Sequence, residues 1–599
     1  MVKFDWREVL GNWNPQLARE LRGRLTLRNL ILTGVLAIAL QLCLSFVWQF
    51  GRGPSRHLLS PYCQAPAAVE YRQQLETRLA AIASRQAELD VRDMNAAYAT
   101  PCPGGIDMAQ WWHEQAPELF AILSAASIAV LLIGGTHLLI ADLGREEQRG
   151  TLNFVRLSPR SATNIMLGKL LGVPCLLYLG VALALPWQWQ LGQLADLSAG
   201  TILTLDLLGL AACVCCYSGA LLFGLVSSKL RGFQAWLGSG AIAGWLWMIL
   251  LMVMDKHNTI SALTQLPFYI LHPAVWGWHL IAWERSGAAL LQLPGADDYP
   301  WEYYKNHPFS PLIQARWYNL HLDFQPALLV LLVVSIYAVL TLWFWQAIAR
   351  RFQQPEAPLW TRWQSYLGLI SVQAIGLGFA LHMEPSAITN GMALGLHLLF
   401  GAPVLLVLSL LLSPNRATLI DWARYRHQQP RQARALWLDL LWGDRSPALI
   451  ALWVHGAILL GFAIPWLPTT RLLIQGEPGR LFIICMALVA CIWLVALSSL
   501  QLANLATQRR PWVIGATIFL AIGTLGSVYI SLDAGALVYT QSWLLLPLPW
   551  LGLGLVMVGS NVAFVLWLRQ LGQSSTRSLL AATRPRPLPL QPVGQPDRR

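Results

Sequence analysis

The chain has 599 residues, of which 55% are hydrophobic and only 12% charged, about half the charge of an ordinary soluble domain. Those proportions exclude a soluble multidomain chain, a long disordered protein, a collagenous repeat and a disulfide miniprotein, and leave an integral membrane protein. The net charge of +12 would suit a nucleic-acid binder, but its distribution argues for membrane orientation instead.

In chain order, residues 1–28 are polar, with no continuous apolar run of the kind a cleaved signal peptide needs. Trp6, Leu10, Trp13, Leu17 and Leu21 recur every three or four residues, with Arg19, Arg22 and Arg24 available for an opposite face. This predicts an amphipathic helix on the membrane surface, with a soluble tail as the alternative. Asn14 before Pro15 predicts a helix cap and first-turn proline, hence two short helices with a bend.

Apolar stretches long enough to cross ~30 Å of hydrocarbon follow at 29–50, 119–141, 165–185, 197–226, 236–254 and 326–349, then at 365–382, 388–412, 447–466, 481–502, 513–531 and 543–568. The expected fold is therefore an all-α polytopic membrane protein with about 12 transmembrane helices and two long outer loops. If both termini face the cytoplasm, 30 of the 42 Lys and Arg residues fall on that side together with 11 of the 30 acids. That asymmetry accounts for the basic charge and places both termini inside.

The first outer loop, 51–118, contains Cys63 and Cys102, while the other seven cysteines fall inside predicted spans. A disulfide is expected in an oxidising compartment, and two free thiols are the alternative. Residues 67–92 lack Gly and Pro and predict a helix. The second outer loop, 255–325, is dense in Trp, Tyr, His and Pro, which predicts re-entrant or interfacial helices. His272, His279, His307 and His321 have no metal-ligand spacing, so a structural role is expected for them, as for His137, His397 and His455 within spans. Asp206, deep in the fourth span, is either part of a substrate or proton pathway or a buried carboxylate bonded to its neighbours.

There is no phosphate-binding G-x-x-x-x-G-K-[ST] loop, dinucleotide fingerprint, H-E-x-x-H, G-x-S-x-G or C-x-x-C motif. No catalytic residues, metal ligands or cofactor are expected in this chain, and any ATP-driven role needs a separate ATPase. The most specific segment is the loop 142–164, within "DLGREEQRGTLNFVRLSPRSATNIMLGKLL". It opens on Arg145, Glu146, Glu147 and Arg149, turns apolar at Leu152, Phe154, Val155 and Leu157, and reaches Ser158 and Pro159, which predict the cap of the next helix.

At Glu146, Gly150, Thr151, Leu152, Ser158, Pro159, Gly168 and Lys169 the sequence resembles the ABC type-2 exporter permease family. The amphipathic start, six spans and re-entrant loop extend the resemblance over residues 1–351. Gln148 stands where that family often has Glu. The resemblance implies a membrane-spanning permease subunit of an ATP-driven exporter, with 146–157 as a coupling helix seated on a cytosolic ABC ATPase dimer. Glu146, Glu147, Arg149, Gly150, Thr151, Leu152 and Val155 would be the coupling residues, ATP and Mg would sit on the ATPase, and the plasma membrane would be the location. Lipid would surround it, nucleic acid is not a partner, and a homodimer or a second permease stays open.

The resulting organisation is an interfacial helix at 1–28, a six-span permease unit at 29–351, a second six-span unit at 352–567 and a Pro/Arg-rich cytoplasmic tail at 568–599. "LSPNRATLI" at 412–420 matches "LSPRSATNI" at 157–165 in six of nine positions. This hints at a divergent repeat, although coincidence of composition accounts for it more simply. A polytopic membrane transferase and a non-transporting, permease-derived scaffold are the alternative functions.

Overall fold

The computed structural model describes residues 11–51, 106–227, 232–254, 267–290, 325–355, 357–380, 416–428 and 436–463 continuously, with isolated residues and short stretches within 53–102, 230, 316–322, 404–414 and 559–566. The chain divides into two compact units, one of Met1–Arg316 with Leu320–Gln353, the other of Trp317–Asn319 with Gln354–Arg599. Among the described residues both are helical, apart from two two-residue strands.

Unit 1 begins with α1 (Pro15–Arg24) and α2 (Leu27–Gly51). Residues 11–13 are also helical, and Asn14 breaks the two segments as its side chain accepts from Leu17 N, with Pro15 following. Along α2 only Trp48 is buried, whereas Leu27, Ile31, Leu32, Val35, Leu36, Leu40 and Phe46 are exposed. A 25-residue helix apolar on every face is a liability in water and needs no further cover in lipid.

Next come α3 (Met108–Ala129), a π-helical segment Val130–Gly135 and α4 (Thr136–Gln148), one helical run of 41 residues with an apolar stretch inside it. At 1.5 Å per residue it is about 60 Å long, twice the hydrocarbon thickness, so it can cross a membrane and project beyond it. The π-turn coincides with a close approach. The Tyr217 hydroxyl donates to Leu131 O at 2.7 Å, and a Cβ on Gly135 would lie 2.0 Å from that hydroxyl.

The short α5 (Thr151–Arg156) leads to α6 (Ala162–Gly172), α7 (Cys175–Ala182) and α8 (Leu185–Leu194). Two sequence expectations need correction here. The cap of α6 is Ser161, not Ser158: Ser161 is extended and its Oγ accepts from Asn164 N. The span expected at 165–185 is not straight either. Pro174 lacks an amide proton for the helical ladder, and α6 meets α7–α8 at a bend of 44°.

The central helix α9 (Ala199–Val226) packs against α4, α12 (Pro273–Leu290) and α13 (Pro326–Gln353), with α10 (Phe233–Met254) and the one-turn α11 (Pro267–Ile270) completing the unit. Small residues permit close approach to α9: Gly224 faces Leu143 of α4 and Gly209 faces Ile128 of α3. Helices α11 and α12 occupy the aromatic stretch for which interfacial or re-entrant helices were expected. His272 is buried there, with Nδ1 accepting from Ala274 N at 3.1 Å and Nε2 facing Leu246 O at 3.1 Å. Its two ring nitrogens are thus committed to backbone, and His137 is likewise held by Ser239 Oγ at 3.2 Å.

Among the described residues, five helices are long and apolar enough to cross a membrane, or six if the bent α6–α8 pair counts as one span. All six segments expected within 29–349 fall on them.

Cys63 and Cys102 form a disulfide with 5.8 Å between their Cα atoms. Around it Cys63 pairs with Ile106 and His57 with Pro101 as isolated bridges, and the Tyr62 hydroxyl donates to Glu114 at 2.6 Å. Of the helix expected at 67–92, residues 70, 73 and 77 are helical and the rest lies outside the described residues. The disulfide closes a loop of 39 residues. On the chain-entropy model, breaking it removes about 4 kcal/mol of stability. Mass spectrometry of protein isolated without reductant should find the two peptides linked, and free thiols in that preparation would contradict the bridge.

Unit 2 contains α14 (Arg362–Ala380), α15 (Arg416–Gln428), α16 (Leu436–Trp442) and α17 (Leu449–Ala463). Among the described residues its core includes Leu369, Leu405, Leu408, Leu412, Ala448, Leu452 and Leu459. Buried Arg362 donates to Ser446 O at 2.7 Å and Gly443 O at 3.3 Å, and His455 Nε2 faces Ser365 Oγ at 3.0 Å. Of the spans expected in this half, 365–382 falls on α14 and 447–466 on the short apolar α17. Most of 388–412, all of 481–502 and 513–531, nearly all of 543–568 and the tail lie outside the described residues, as do His307 and His397.

Candidate functional site

The loop singled out by sequence is fastened to the rest of unit 1 by an ionic cluster joining α1, α4 and α6. Gly168 and Gly172, four residues apart on α6, let α1 approach at backbone distance. A Cβ on Gly168 would lie 2.6 Å from Asn14 Oδ1 and 2.8 Å from Leu17 N, and one on Gly172 would lie 2.6 Å from Glu20 Cβ. This is the small-residue spacing that allows close helix pairs in membranes. Asn14 secures it further, donating through Nδ2 to Asn164 O at 2.7 Å.

Between the two glycines stands Lys169, with no exposed surface. Its Nζ lies 2.6 Å from Asp142 Oδ2, 2.9 Å from Glu146 Oε2 and 3.8 Å from Glu20 Oε1. Each carboxylate is also held by a guanidinium: Arg24 Nη2 reaches Asp142 at 2.9 Å, Arg24 Nε reaches Glu20 at 3.2 Å, and Arg19 Nη2 reaches Glu146 at 2.6 Å. Gln16 Nε2 adds a hydrogen bond to Glu20 at 2.9 Å. Three carboxylates thus face one ammonium and two guanidinium groups, and the set is neutral.

The oxygens of Glu20, Asp142 and Glu146 lie within 4.8 Å of one another, a spacing that could hold a metal ion. The Lys169 ammonium already supplies the central positive charge, so the donor set does not call for a metal. Burial disfavours the charge on Arg19, but the carboxylates of Glu146 and then Glu20 outweigh it and raise the guanidinium above its ordinary value.

The geometry also gives Gly150 and Thr151 a physical reason. Gly150 ends α4 with φ +71°, a left-handed conformation suited to glycine, and its N–H donates to Glu147 O at 3.1 Å. Thr151 Oγ1 donates to Glu146 O at 3.1 Å, satisfying another terminal carbonyl. Both residues shape the turn, and Arg149 beside them is exposed.

Side-chain direction separates the remaining residues for which a coupling role was expected. Leu152 is 1% exposed and faces inward. Glu146 is engaged with Arg19 and Lys169, and Glu147 lies 3.9 Å from Arg156. Val155 is half-buried. The outward apolar residues of this loop are Phe154, 80% exposed, and Leu157, 85% exposed. Leu152 and Glu146 therefore hold the loop in place, and an outward contact would use Phe154 and Leu157 instead. Sequence reasoning noted the two residues as apolar without assigning them a contact.

Asp206 lies elsewhere in the unit. It accepts from Gln188 Nε2 at 2.9 Å and lines a cavity of about 220 Å³. Asp206 is thus both bonded to a neighbour and part of the wall of a cavity, so the two readings of it are compatible.

No protein-family model, curated protein or solved structure matches this chain. Fold and site define a helical protein with several helices fit for a membrane.

Proposed function

We propose that the chain is the membrane-spanning permease subunit of an ATP-driven ABC exporter, powered by a separate cytosolic ATPase dimer. The observation that carries this reading is α5 itself, a one-and-a-half-turn helix that presents Phe154 and Leu157 outward while the Glu20–Asp142–Glu146–Lys169 cluster ties its base to α1 and α6. A displacement of α5 by a docked partner would pass through that cluster to α4 and α6, and through the bend at Pro174 to α7, without loss in a slack loop. Since the sequence holds no phosphate-binding motif, this reading puts ATP and Mg on the partner. In this reading the protein crosses the plasma membrane about twelve times with both termini and α5 on the cytoplasmic side, as the basic-residue asymmetry supports.

The test is purification of the intact tagged chain in mild detergent. An ATPase bearing a phosphate-binding loop should accompany it, with hydrolysis that depends on the permease. If the chain purifies folded without such an ATPase, and none encoded beside it binds on reconstitution, the exporter reading fails.

A further inference from the structure

The Asp206 cavity is lined by α3, the π-helical segment, α7, α8, α9 and α12, all in unit 1, and its rim includes the exposed side chains of Leu185 and Leu210. Its lining is mostly apolar and includes the aromatic side chains of Tyr178, Trp276 and Trp278. Among the described lining residues Asp206 supplies the one carboxyl group, and none is Lys, Arg or His. That carboxyl accepts from Gln188, yet a carboxylate can accept about four hydrogen bonds. Ser124, which lines the same cavity, has a buried Oγ with no hydrogen-bond partner.

These features select the chemistry of an occupant. An anion would meet a carboxylate with no compensating base. A plain hydrocarbon would leave both Asp206 and Ser124 under-satisfied in a low-dielectric setting, where such groups are costly. An ammonium group supplies three donors and the missing charge, and aromatic faces favour a cation further. The volume admits a compact apolar body and excludes a whole phospholipid.

We infer that this cavity binds an ammonium group carried on a compact apolar body, with Asp206 as its counter-ion and Ser124 as a second acceptor. The inference rests on the permease reading for the ligand's role as cargo, whereas binding itself needs no ATPase.

The test uses the full chain in phosphatidylcholine nanodiscs and two probes of matched body and opposite head, 4-phenylbutylamine and 4-phenylbutyrate, followed by calorimetry. The amine should bind at least tenfold more tightly than the acid. Asp206→Asn, nearly isosteric and still able to pair with Gln188, should weaken the amine at least tenfold and erase the preference. Gly277→Leu provides a second variant with the carboxyl intact. A Cβ at Gly277 has its nearest neighbour 4.0 Å away, so the added side chain can enter the cavity and should abolish amine binding.

Equal affinity for the two heads, no binding of the amine, or amine binding unchanged in either folded variant would overturn the inference. Adding phosphatidylethanolamine to the discs separates sources of the ammonium. Competition would show that a lipid headgroup reaches the site and would overturn the compact body of the inference, whereas lack of competition supports a free amine. Failure of amine binding with ATPase stimulation intact removes this inference alone, while amine binding without any ATPase partner removes the permease reading alone.

Discussion

Replacing Lys169 by methionine should lower the stability of the intact protein by about 3–5 kcal/mol, the usual effect of removing one partner from a buried ion set. The side chains are similar in length and the substitution adds no bulk against α1, so the expected loss is electrostatic. Without the ammonium, Asp142, Glu146 and Glu20 remain crowded within 4.8 Å, with two guanidinium groups against three carboxylates. Arg19 compensates little, because its side chain is 53% exposed and solvent screens it.

Adding Asp142→Asn to Lys169→Met restores neutrality and should recover part of the loss. That recovery is the signature that separates a charge imbalance from a packing defect. Denaturant unfolding in detergent, with tryptic cleavage at Arg22 and Arg24 as a local probe of α1, measures both. A change below about 1 kcal/mol with α1 still protected would mean that the glycine contact alone holds the helix.

The sequence announces local features here and conceals assembled ones. Asn14–Pro15 is legible because a cap and its helix are adjacent, and the apolar stretches within 29–349 are legible because each is a continuous run. The π-turn and the bend at Pro174 lie inside such runs, so length alone does not reveal them, although Pro174 was a local signal. Ser158 and Ser161 are both reasonable caps before the same helix. The choice was made by the turn closed at Leu157 and Ser158, whose amides bond to Phe154 O and Val155 O.

The ionic cluster draws on residues more than 100 positions apart, which no periodicity reports. Its sequence trace is slight: a lysine between two glycines at 168–172, opposite acids spaced four apart at Asp142 and Glu146. In α5, too short for a hydrophobic stripe to stand out, Leu152, Phe154, Val155 and Leu157 look equivalent until packing buries the first.

That last distinction leads to the prediction with the largest effect on coupled activity. Phe154→Asp combined with Leu157→Asp should abolish permease-dependent ATP hydrolysis in the reconstituted complex and leave the unfolding of the permease unchanged. Both side chains stand in solvent in the isolated chain, so a carboxylate at either position costs the free protein little. In a docked complex the same side chains would be buried as anchors. Truncating a central anchor costs about 2 kcal/mol or more, about thirtyfold in affinity, and a buried unpaired carboxylate adds to that loss.

Leu152→Ala should behave in the opposite way. Removing a fully buried leucine costs about 2–5 kcal/mol of folding stability, and any loss of coupling should follow the unfolding curve. Glu146→Arg belongs with Leu152, since it would place a third guanidinium beside Arg19 and Lys169. Hydrolysis titrated against permease concentration, together with unfolding of each variant, separates the two patterns. Full stimulation by the Phe154→Asp, Leu157→Asp variant would show that α5 is not the docking element and would direct the search to the exposed face of α15, where Tyr425 and Arg424 stand in solvent.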